Sequence, residues 1–588
     1  MDRTHKALGF LCLVGALAAF YWSAKETARL QAEHPAPAPA AAVASPAPAA
    51  SPVPVVAGAQ PTPAIPALSP DPTFQPAIVS ELKSPVLRLL TTSHGGAIAS
   101  VDLLAHRTSH EDSGVLRFNN STDSALEIFI PDPATAKPVA VRIALALQPI
   151  SSDGWMRYRG TLPDGTLITR GYRLRTDAVG TGAVDPHGIE FTVTLTPPAG
   201  KSAPKFWLST GAWQPEHADA RNVFQSVLVS DGDSTAHVSL SEFTDSPGVL
   251  GFFAHKAASE YPLVAAGGGV HRWVASANQY FVASLCPDPA LRGTRSEVTA
   301  FPVDLGNGAR AVRALASWEG SVAPDGSRTV GGTFYVGPKH YARLAALPEG
   351  QVDTLQFVKL FGFIGIAWMA KLLLSFLGGV HWLLTLPGAL SWGWSILLLT
   401  LLIKLATWPL TSAQIRAGKK MAEFAKPMQA LREKHKDNPE RLQKELMKLY
   451  QENGINPLAG CLPLLIQIPI FFGLYSAFQT APEMRLESFL WIKDLAAPDT
   501  VAHLGPLPVN PLPILMGISM WYSMRMNPTP NQDETMKTVM TVMMLLFPVI
   551  CYGMPAALTL YWTFQNILQI IQTLLLKRQE RAAAAAKG

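Results

Sequence analysis

A single lysine, Lys404, interrupts the apolar run SILLLTLLIKLATWPLT that extends from Ser395 to Thr411. In a helix, Lys404 lies roughly 10 Å from the basic end of that run, beyond the roughly 6 Å over which a lysine side chain reaches toward water. A cation at this depth needs water or a partner, and ionisable residues in membrane segments usually mark a substrate path. We therefore expect either a water-filled cavity or a partner side chain beside Lys404.

Uncharged polar residues in the apolar runs are candidates for the wall of this cavity. Thr400 lies one helical turn from Lys404 on the same face, Gln467 occurs in the next run, and Gln565 or Asn566 in the last. The alternative for the three amide side chains is a hydrogen bond between helices without any cavity. The alternative for Lys404 is a salt bridge, although no acidic residue occurs within the other apolar runs.

Patterns typical of enzymes and metal sites do not stand out. We find no HExxH, GxSxG, phosphate-binding glycine loop or paired-carboxylate signature in residues 77–345. The four cysteines have neither a disulfide framework nor zinc spacing. We therefore expect a protein that is not an enzyme and that has no metal or small-molecule cofactor.

The elements that must position Lys404 are membrane-spanning helices. The chain is 48% hydrophobic with a mean hydropathy of +0.17, which is high for a wholly soluble protein. The last apolar run, Thr538 to Leu576, is too long for one span and must fold back at Gly553-Met554-Pro555, where glycine and proline together end a helix. The five predicted spans of this core (391–577) lie near 392–411, 460–480, 510–525, 537–552 and 555–576.

Lysine and arginine in the short loops set the predicted orientation of these spans. Ten basic residues lie between Thr411 and Pro457, and others occur at Arg525, at Lys537 and in the tail 578–588, whereas residues 482–508 carry mostly acids. The basic loops are therefore predicted to be cytoplasmic.

A further apolar segment, 360–384, would reverse this orientation if it crossed the membrane. We predict instead an interfacial amphipathic helix on the outer face, within a connecting segment 346–390, whose residues Lys359, Lys371 and His381 point toward the headgroups.

The first 76 residues are predicted to be an anchor and a spacer. Residues 1–24 combine a basic tip with an uncharged run, and Phe20-Tyr21-Trp22 favours an uncleaved transmembrane anchor over the alternative, a cleaved signal peptide. Residues 25–76 are rich in proline and alanine, which is typical of an extended linker. With the basic loops inside, the N-terminus is predicted to be cytoplasmic.

Residues 77–345 show the alternation that is typical of β-strands. In IEFTVTLT, the apolar residues Ile189, Phe191, Val193 and Leu195 share one face. Similar stretches are separated by the turn signals Pro163-Asp164-Gly165 and Pro324-Asp325-Gly326. An antiparallel β-sandwich outside the membrane is predicted.

The ten-cation loop, 412–455, is predicted to be a helical hairpin. Apolar residues recur at helical spacing from Met421 to Leu431, and Asn438-Pro439 supplies a cap and a first-turn proline for a second helix that Gly454 ends. The hairpin either is a solvated charged face or contacts anionic lipid headgroups, ribosomal RNA or a nascent chain. The candidate contact residues are Arg416, Lys419, Lys420, Arg432, Lys434 and Lys436.

Several motifs in this core resemble one family. The stretches SWGWSILLLTLLIKLATWPLT (391–411), GINPLAGCLPLLIQIPIFFGLY (454–475), PLPILMGISMWYSM (511–524) and MPAALTLYWTFQNILQIIQ (554–572), together with FYVGPKHYARL (334–344), are similar to those of YidC membrane protein insertases, the bacterial branch of the YidC/Oxa/Alb family. The large outer domain resembles the Gram-negative form. The resemblance implies an α-helical polytopic protein of the bacterial inner membrane, with an anchor, a five-helix core, a cytoplasmic hairpin and a periplasmic β-sandwich.

The resemblance also implies a site and partners. In the family, a hydrophilic groove open to the cytoplasm and to lipid carries a positive residue, commonly arginine, where this chain has Lys404, and the positions of Thr400 and Trp562 help to form it. Lysine keeps the positive charge but lacks the planar guanidinium with which arginine makes two parallel hydrogen bonds. A role that requires only the charge is therefore compatible with lysine at position 404. The implied partners are nascent membrane proteins, the ribosome, the Sec translocon and membrane lipids.

The hypothesis for function is that the groove accepts the polar segment of a nascent membrane protein, acting as an insertase and chaperone alone or with the Sec translocon. The apolar segment would leave along helices 460–480 and 537–552, where Ile468, Pro469 and Phe472 offer an apolar surface. The main alternative is a secondary transporter or channel, which also uses intramembrane charge. A second is a tethered sugar-binding or sugar-modifying protein, which rests on fold analogy alone.

Overall fold

The structure is a computed structural model that describes residues 79–110, 114–119, 123–174, 185–216, 223–245, 255–305, 309–319, 322–356, 366–386, 390–435, 438–453, 462–505, 507–526 and 534–585. The predicted anchor and linker lie outside these residues, as do Lys359, Lys436 and Gly454. The chain divides into two compact units after Gln356. The first unit is described by residues 79–356, and the second by residues 366–585.

The first unit is built almost entirely from β-strands. Its strands are β1 (Val79–Lys83), β2 (Leu87–Thr92), β3 (Ile98–Arg107), β4 (Val115–Phe118), β5 (Ile128–Pro131), β6 (Pro138–Ala140), β7 (Ala146–Leu147), β8 (Met156–Thr161), β9 (Leu167–Leu174), β10 (Gly188–Thr196), β11 (Trp207–Ser209), β12 (Ser226–Ser230), β13 (Thr235–Ser239), β14 (Tyr261–Gly269), β15 (Trp273–Ala277), β16 (Phe281–Pro287), β17 (Ser296–Asp304), β18 (Arg310–Trp318) and β19 (Arg328–Pro338). One short helix, α1 (Tyr341–Ala346), follows the last strand.

These strands form three sheets, and their pairs are antiparallel. The orders are β13-β12-β15-β16-β19-β10-β9-β8-β7 in the nine-stranded sheet, β14-β17-β18-β11-β5-β6 in the six-stranded sheet, and β1-β2-β3-β4 in the smallest. Strands β12 and β15 of the nine-stranded sheet contact β18 of the six-stranded sheet, so the two larger sheets pack against each other. The prediction of an antiparallel β domain is confirmed.

Strand β10 shows why the sequence pattern was informative. Its four alternating apolar residues are buried, whereas Thr192 and Thr194 between them are half-buried. Glu190, on the polar side, pairs with Arg173 on the neighbouring strand β9. The period of two therefore directs one face of β10 into the core, as predicted.

Both predicted turns are present and rest on the same local chemistry. Asp164 accepts a hydrogen bond from the main-chain N–H of Thr166 at 2.8 Å, and Asp325 accepts one from the N–H of Ser327 at 2.9 Å. The glycine between each pair has a positive φ, 87° in the first turn and 77° in the second, which only glycine adopts without strain. Each turn therefore leads directly into the strand that follows.

A fully buried arginine connects strand β9 to two loops of the β unit. Arg170 is 0% exposed, and its guanidinium donates hydrogen bonds to the carbonyl of Gly95, at 3.0 Å, and to the carbonyl of Leu126. The guanidinium also lies 5.2 Å from the ring centre of Tyr172. Because both loops bring main-chain oxygen atoms into the interior, this side chain satisfies groups that would otherwise be buried without a partner.

Histidine 271 is a second buried titratable group of the β unit. Its ring lies 4.7 Å from that of Trp318, and its Nδ1 is hydrogen-bonded to Ser296 Oγ, which in turn donates to the carbonyl of Gly269 at 3.2 Å. Its Nε2 is buried without a hydrogen-bond partner among the described residues. Burial lowers the pKa of His271 to about 3, so the ring is neutral in the folded protein at neutral pH.

This burial predicts acid sensitivity. In the unfolded chain, histidine binds a proton near pH 6.5, whereas folded His271 does so only near pH 3, so lowering the pH through that window favours unfolding. We expect the melting temperature of the protein to fall more steeply between pH 6.5 and pH 4 than that of the His271→Asn variant, whose amide can still donate to Ser296. The exposed Gln148 of the same unit provides a control that does not titrate, since Gln148→Asn should leave the pH dependence unchanged. Identical pH profiles for the wild type and His271→Asn would contradict this prediction.

The second unit is helical. Its helices are α2 (Ile366–Thr385), α3 (Trp392–Glu423), α4 (Ala425–Lys434), α5 (Pro439–Glu452), α6 (Leu462–Thr480), α7 (Pro511–Met526), α8 (Glu534–Ile550) and α9 (Ala556–Ala585), and a small hairpin is formed by β20 (Ala502–Leu504) and β21 (Leu507–Val509). Helix α9 contacts α3 and α7, and α2 contacts α3 and α6. Among the described residues, two segments are long and apolar enough to cross a membrane, Trp368–Thr385 and Trp392–Arg416. The turn between α8 and α9 lies at the predicted Gly553-Met554-Pro555.

The predicted helical hairpin is present, but its beginning differs from the prediction. Helix α3 has 32 residues and continues from the apolar run to Glu423, past the predicted start of the hairpin at residue 412. The helical path breaks only at Phe424, whose φ of −90° and ψ of 10° leave the helical range. Because α3 continues without a break through residues 412–423, including Gly418, the first arm of the hairpin is partly an extension of α3.

The predicted cap of the second arm is confirmed. Asn438 precedes Pro439, and its side-chain oxygen accepts a hydrogen bond from the N–H of Arg441 at 3.0 Å. We expect Asn438→Ala to destabilise the start of α5 by about 1 kcal/mol, which corresponds to about fivefold faster hydrogen exchange at the Arg441 amide. Gln443→Ala, at an exposed position of the same helix, is the control and should leave that amide unchanged. Equal exchange rates in the two variants would show that the cap does not stabilise α5.

Helix α2 corresponds to the segment predicted to lie in the interface. Its outward face is apolar, with Trp368, Phe376 and Trp382 among its exposed residues. The prediction places His381 toward the headgroups, but in the structure its ring stacks on Trp392 with centres 3.7 Å apart. His381 therefore connects α2 to the start of α3, because its ring stacks on the indole of Trp392.

The loop at 482–510 forms hydrogen bonds with the starts of three helices. Asp499 is buried and accepts a hydrogen bond from the N–H of Leu512 in the first turn of α7, at 2.7 Å. The N–H of Ala556, at the start of α9, donates to a carbonyl of the loop at 2.8 Å, and the Ser391 hydroxyl, beside α3, donates to another at 2.7 Å. The loop thus fixes where α3, α7 and α9 begin, which determines which of their side chains meet further along.

Candidate functional site

Lys404 lies in the middle of α3 and faces α9. It is 1% exposed, and its ammonium donates a hydrogen bond to the side-chain oxygen of Gln569 on α9. Within the described part of the chain, no carboxylate lies within the 4.0 Å of an ion pair with this nitrogen. The salt-bridge alternative therefore has no support among these residues, and the partner of the lysine is a neutral amide that leaves its charge uncompensated.

The surroundings of Lys404 are closed in this conformation. Thr400, one turn earlier, is 0% exposed, and its hydroxyl donates to the carbonyl of Ile396 in the same helix at 2.6 Å. The structure thus brings Thr400 and Lys404 to one buried position and not to an open wall. A hydrated groove at this position remains a prediction.

Three glutamines form a row along α9. Gln565, Gln569 and Gln572 are spaced by four and three residues, so they share one face of the helix. Gln572 is 0% exposed and donates to the carbonyl of Trp408 at 3.1 Å and to the Ser412 hydroxyl at 3.0 Å, both on α3. The side-chain oxygen of Gln565 is buried without a hydrogen-bond partner among the described residues. The contact between α3 and α9 is therefore polar at two successive turns of α9.

Two predicted cavity residues make hydrogen bonds between helices. The amide of Gln467 on α6 donates to the hydroxyl of Tyr561 at 3.0 Å. The amide of Asn566 donates to the hydroxyl of Ser519 on α7 at 3.2 Å. These contacts match the alternative considered for both residues, and they direct Asn566 toward α7, whereas Gln569 meets α3.

The rings of Trp562, Phe471 and Phe547 contact one another and form an aromatic triangle. The ring centre of Trp562 lies 4.8 Å from that of Phe471 on α6, edge to face, and 4.7 Å from that of Phe547 on α8. The rings of Phe471 and Phe547 are 6.1 Å apart. Trp562 thus connects the two helices along which the substrate is predicted to leave, through offset contacts that stabilise such pairs.

The predicted exit residues flank this triangle. Ile468, Pro469 and Phe472 on α6 are half-buried, so each keeps part of its apolar surface outside the bundle. The ring of Phe472 also contacts that of Phe471, with centres 5.1 Å apart. Their arrangement is compatible with an apolar surface beside α8, while their role in substrate exit remains a prediction.

The predicted contact residues of the hairpin are only partly described. Arg416 and Lys434 are exposed and Arg432 is half-buried. The side chains of Lys419 and Lys420 and the whole of Lys436 lie outside the described residues. Their proposed contacts with lipid, RNA or a nascent chain remain predictions.

Sequence reasoning missed four residues of this region. Gln569 and Gln572 follow Gln565 at helical spacing, so the periodicity of α9 was the signal that should have identified them. Phe471 and Phe547 gave no comparable signal, because an aromatic residue in an apolar run is usually just part of the core. Among the described residues, no cluster of His, Cys, Asp and Glu is arranged to hold a metal ion.

The fold and the site define a class: a helical membrane protein with a buried lysine whose described partner is a neutral amide, in a chain that also contains an antiparallel β domain. The family model described as 60Kd inner membrane protein matches residues 382–583, and the model described as YidC periplasmic domain matches residues 212–376. Together they span more than half of the chain. The chain belongs to the YidC family of inner-membrane proteins.

Two curated proteins and one solved structure are similar to this chain. The membrane protein insertase YidC of Janthinobacterium sp. (strain Marseille) is 37% identical over 305 residues, which are 51% of this chain and 51% of that protein. That of Herminiimonas arsenicoxydans is 37% identical over 309 residues, or 52% and 51%. A crystal structure of an active YidC insertase with its first transmembrane domain resolved is 18% identical, with a TM-score of 0.32, and covers 85% of this chain and 95% of its own. The chain thus spans about half the length of the curated relatives it matches.

Proposed function

We propose that this chain is an insertase and chaperone that accepts nascent membrane proteins and releases their transmembrane segments into the inner membrane. The observation that carries the proposal is a buried lysine whose described partner is a neutral amide, in a chain similar to proteins named as membrane protein insertases. A positive charge buried within an apolar membrane helix is costly, and such charges usually mark a substrate path, so we infer that Lys404 is retained for a function. Attraction of an acidic substrate segment is that function.

The proposed topology follows from the distribution of charge. The N-terminus, the hairpin α4–α5 and the tail lie in the cytoplasm, and the β unit lies in the periplasm. The chain crosses the membrane once with its anchor and five times with its core, and α2 lies at the outer interface with its apolar face toward lipid. This arrangement places the ten cations between Thr411 and Pro457 inside.

The proposed reaction is the movement of a polar segment partway across the membrane. The segment enters from the cytoplasm, and the charge of Lys404 attracts its acidic residues at a depth where lipid alone would reject them. The membrane potential then favours outward movement of negative charge, by about 2.3 kcal/mol per charge for each 100 mV. This scheme requires no nucleotide hydrolysis.

The apolar part of the substrate leaves by a different surface. The triangle of Phe471, Phe547 and Trp562 lies where α6, α8 and α9 meet, and Phe472 extends its apolar surface along α6. A substrate helix that contacts these rings can replace its contacts with the rings by contacts with lipid, one side chain at a time. The hairpin supports this process from the cytoplasmic side through contacts with the ribosome, the Sec translocon or anionic lipid.

Photo-cross-linking tests the proposed function. A photoreactive residue is placed at 562, at 472 or at the control position 376, which is exposed on α2. We expect a ribosome-bound nascent single-span protein to cross-link to positions 562 and 472 but not to 376. Equal cross-linking at the three positions, or uptake of a small solute by vesicles containing the purified protein, would contradict the proposal.

Labelling of a cysteine at position 404 tests the hydrated groove separately. In a variant whose four native cysteines are replaced by serine, Lys404→Cys is exposed to a membrane-impermeant thiol reagent from the cytoplasmic side. The closed surroundings of Lys404 predict slow labelling of the resting protein and faster labelling while a nascent chain is bound. Slow labelling in both states would show that no groove opens at this position.

A further inference from the structure

We propose that Gln569 is a positioning residue for Lys404, which fixes the ammonium through a neutral acceptor and thereby keeps its charge available to acidic substrate segments. This inference rests on the insertase function proposed above. It concerns a contact between α3 and α9 that the sequence alone did not indicate. The substrate class it implies is a segment whose acidic residues pass Lys404.

The geometry of the contact supports the first part of the proposal. A lysine side chain has four flexible carbons, so a buried ammonium without a partner would occupy several positions. Gln569 accepts a hydrogen bond from it, and Lys404 is 1% exposed while Gln569 is half-buried. An ammonium has three N–H donors, of which Gln569 takes one. The others can bind an arriving carboxylate without displacing Gln569.

The chemistry of the partner supports the second part. A glutamate at position 569 would form an ion pair and cancel the charge that attracts the substrate, whereas an apolar residue would leave the ammonium without this acceptor. Glutamine does neither, because its oxygen accepts a hydrogen bond and its net charge is zero. The type of residue at 569 therefore decides whether the Lys404 ammonium has a fixed position and whether its charge stays free of a counter-charge.

The position of Gln569 on α9 connects the charge to the exit surface. Trp562 lies seven residues earlier, so the two side chains share one face of the helix, roughly 10 Å apart along its axis. A substrate whose acidic segment contacts Lys404 can thus place its adjacent apolar segment against the aromatic triangle. Helix α9 orients both contacts as one rigid element.

The test uses the full chain in proteoliposomes and two versions of one single-span substrate, whose translocated tail carries either four aspartates or four asparagines. The readout is the ratio of inserted acidic to inserted neutral tail, which a merely structural defect would not change. We expect Gln569→Glu to lower this ratio about tenfold, because it neutralises Lys404, and Gln569→Met to lower it about threefold, because it removes the acceptor. Gln569→Asn keeps a neutral acceptor and should stay within about twofold of the wild type.

The matched control is Gln572→Met, which removes hydrogen bonds between the same two helices one turn away. It should lower the melting temperature and leave the ratio unchanged. An unchanged ratio in both Gln569→Glu and Gln569→Met, while Lys404→Met lowers it, would overturn the inference and leave the proposed function standing. An unchanged ratio in Lys404→Met would instead refute the proposed role of the charge. If Gln569→Met fails to fold, the comparison of Gln569→Glu with Gln569→Asn decides the question.

Discussion

Replacing Lys404 by alanine is expected to reduce insertion of a short single-span substrate with an acidic tail by at least about tenfold. The variant removes the positive charge that α3 holds at 1% exposure, so nothing at that depth offsets the cost of carrying carboxylates into the bundle. Lys404→Arg should restore most of the insertion, since arginine keeps the charge and can still donate to Gln569. Insertion is measured as protease protection of the tail in proteoliposomes.

Two controls separate charge from folding in this experiment. A substrate with an uncharged tail should insert nearly equally well with the wild type and with Lys404→Ala. Thr407→Val changes a half-buried side chain one turn further along α3, whose described hydroxyl contacts lie within α3, and it should leave insertion of acidic tails nearly unchanged. Full activity of Lys404→Ala toward acidic tails would defeat the charge hypothesis.

Replacing Arg170 by alanine is expected to have the largest effect on stability in the β unit. The variant leaves the carbonyls of Gly95 and Leu126 buried without their donor and opens a cavity at a position that is 0% exposed. We expect a loss of about 3 to 5 kcal/mol in the free energy of unfolding. The melting temperature of the β unit, followed in the purified full chain, should fall by about 10 °C.

The control for Arg170 is an arginine of similar chemistry at the surface. Arg157 forms an ion pair with Asp153 at 2.8 Å on an exposed part of the same unit, and such pairs contribute little because water screens them. Arg157→Ala should therefore change the melting temperature only slightly. An Arg170→Ala variant as stable as Arg157→Ala would show that the two loops do not depend on the buried guanidinium.

The two predictions concern opposite uses of a buried cation. Arg170 donates to two main-chain carbonyls, so its burial serves stability and its position is determined on several sides. Among the described residues, Lys404 donates to one neutral side chain, so part of its hydrogen-bonding capacity and all of its charge remain for another group. We infer that this difference in the number of acceptors separates a structural from a functional charge in this chain.

Local features were predictable because neighbouring residues determine them. The alternation in β10, the aspartate turns before β9 and β19, and the cap of α5 at Asn438 each depend on a few consecutive residues. The turn between α8 and α9 was predictable for the same reason, since a glycine and a proline two residues apart disfavour continuation of the helix at Gly553-Met554-Pro555. The start of the hairpin was mistaken because α3 continues through Gly418 to Glu423, so a single glycine did not end the helix.

Contacts between helices could not be predicted from consecutive residues in the way that turns and caps could. Asn566 and Gln569 lie three residues apart on α9, yet one donates to Ser519 on α7 and the other accepts from Lys404 on α3. A helical pattern shows which residues share a face, but the rotation of the helix against its neighbours decides what each face meets. That rotation depends on packing along the whole helix and on the loop at 482–510.

By itself, the sequence determined the kinds of element and the presence of a deep positive charge. A period of two produces strands, long apolar runs produce helices suited to lipid, and one lysine in such a run places a cation beyond the reach of snorkelling. Only the tertiary structure decided that the partner of this cation is Gln569 and that Trp562 meets Phe471 and Phe547. The physical reason is that burial and hydrogen bonding depend on residues far apart in the chain, whose meeting is set by the packing of α3, α6, α8 and α9.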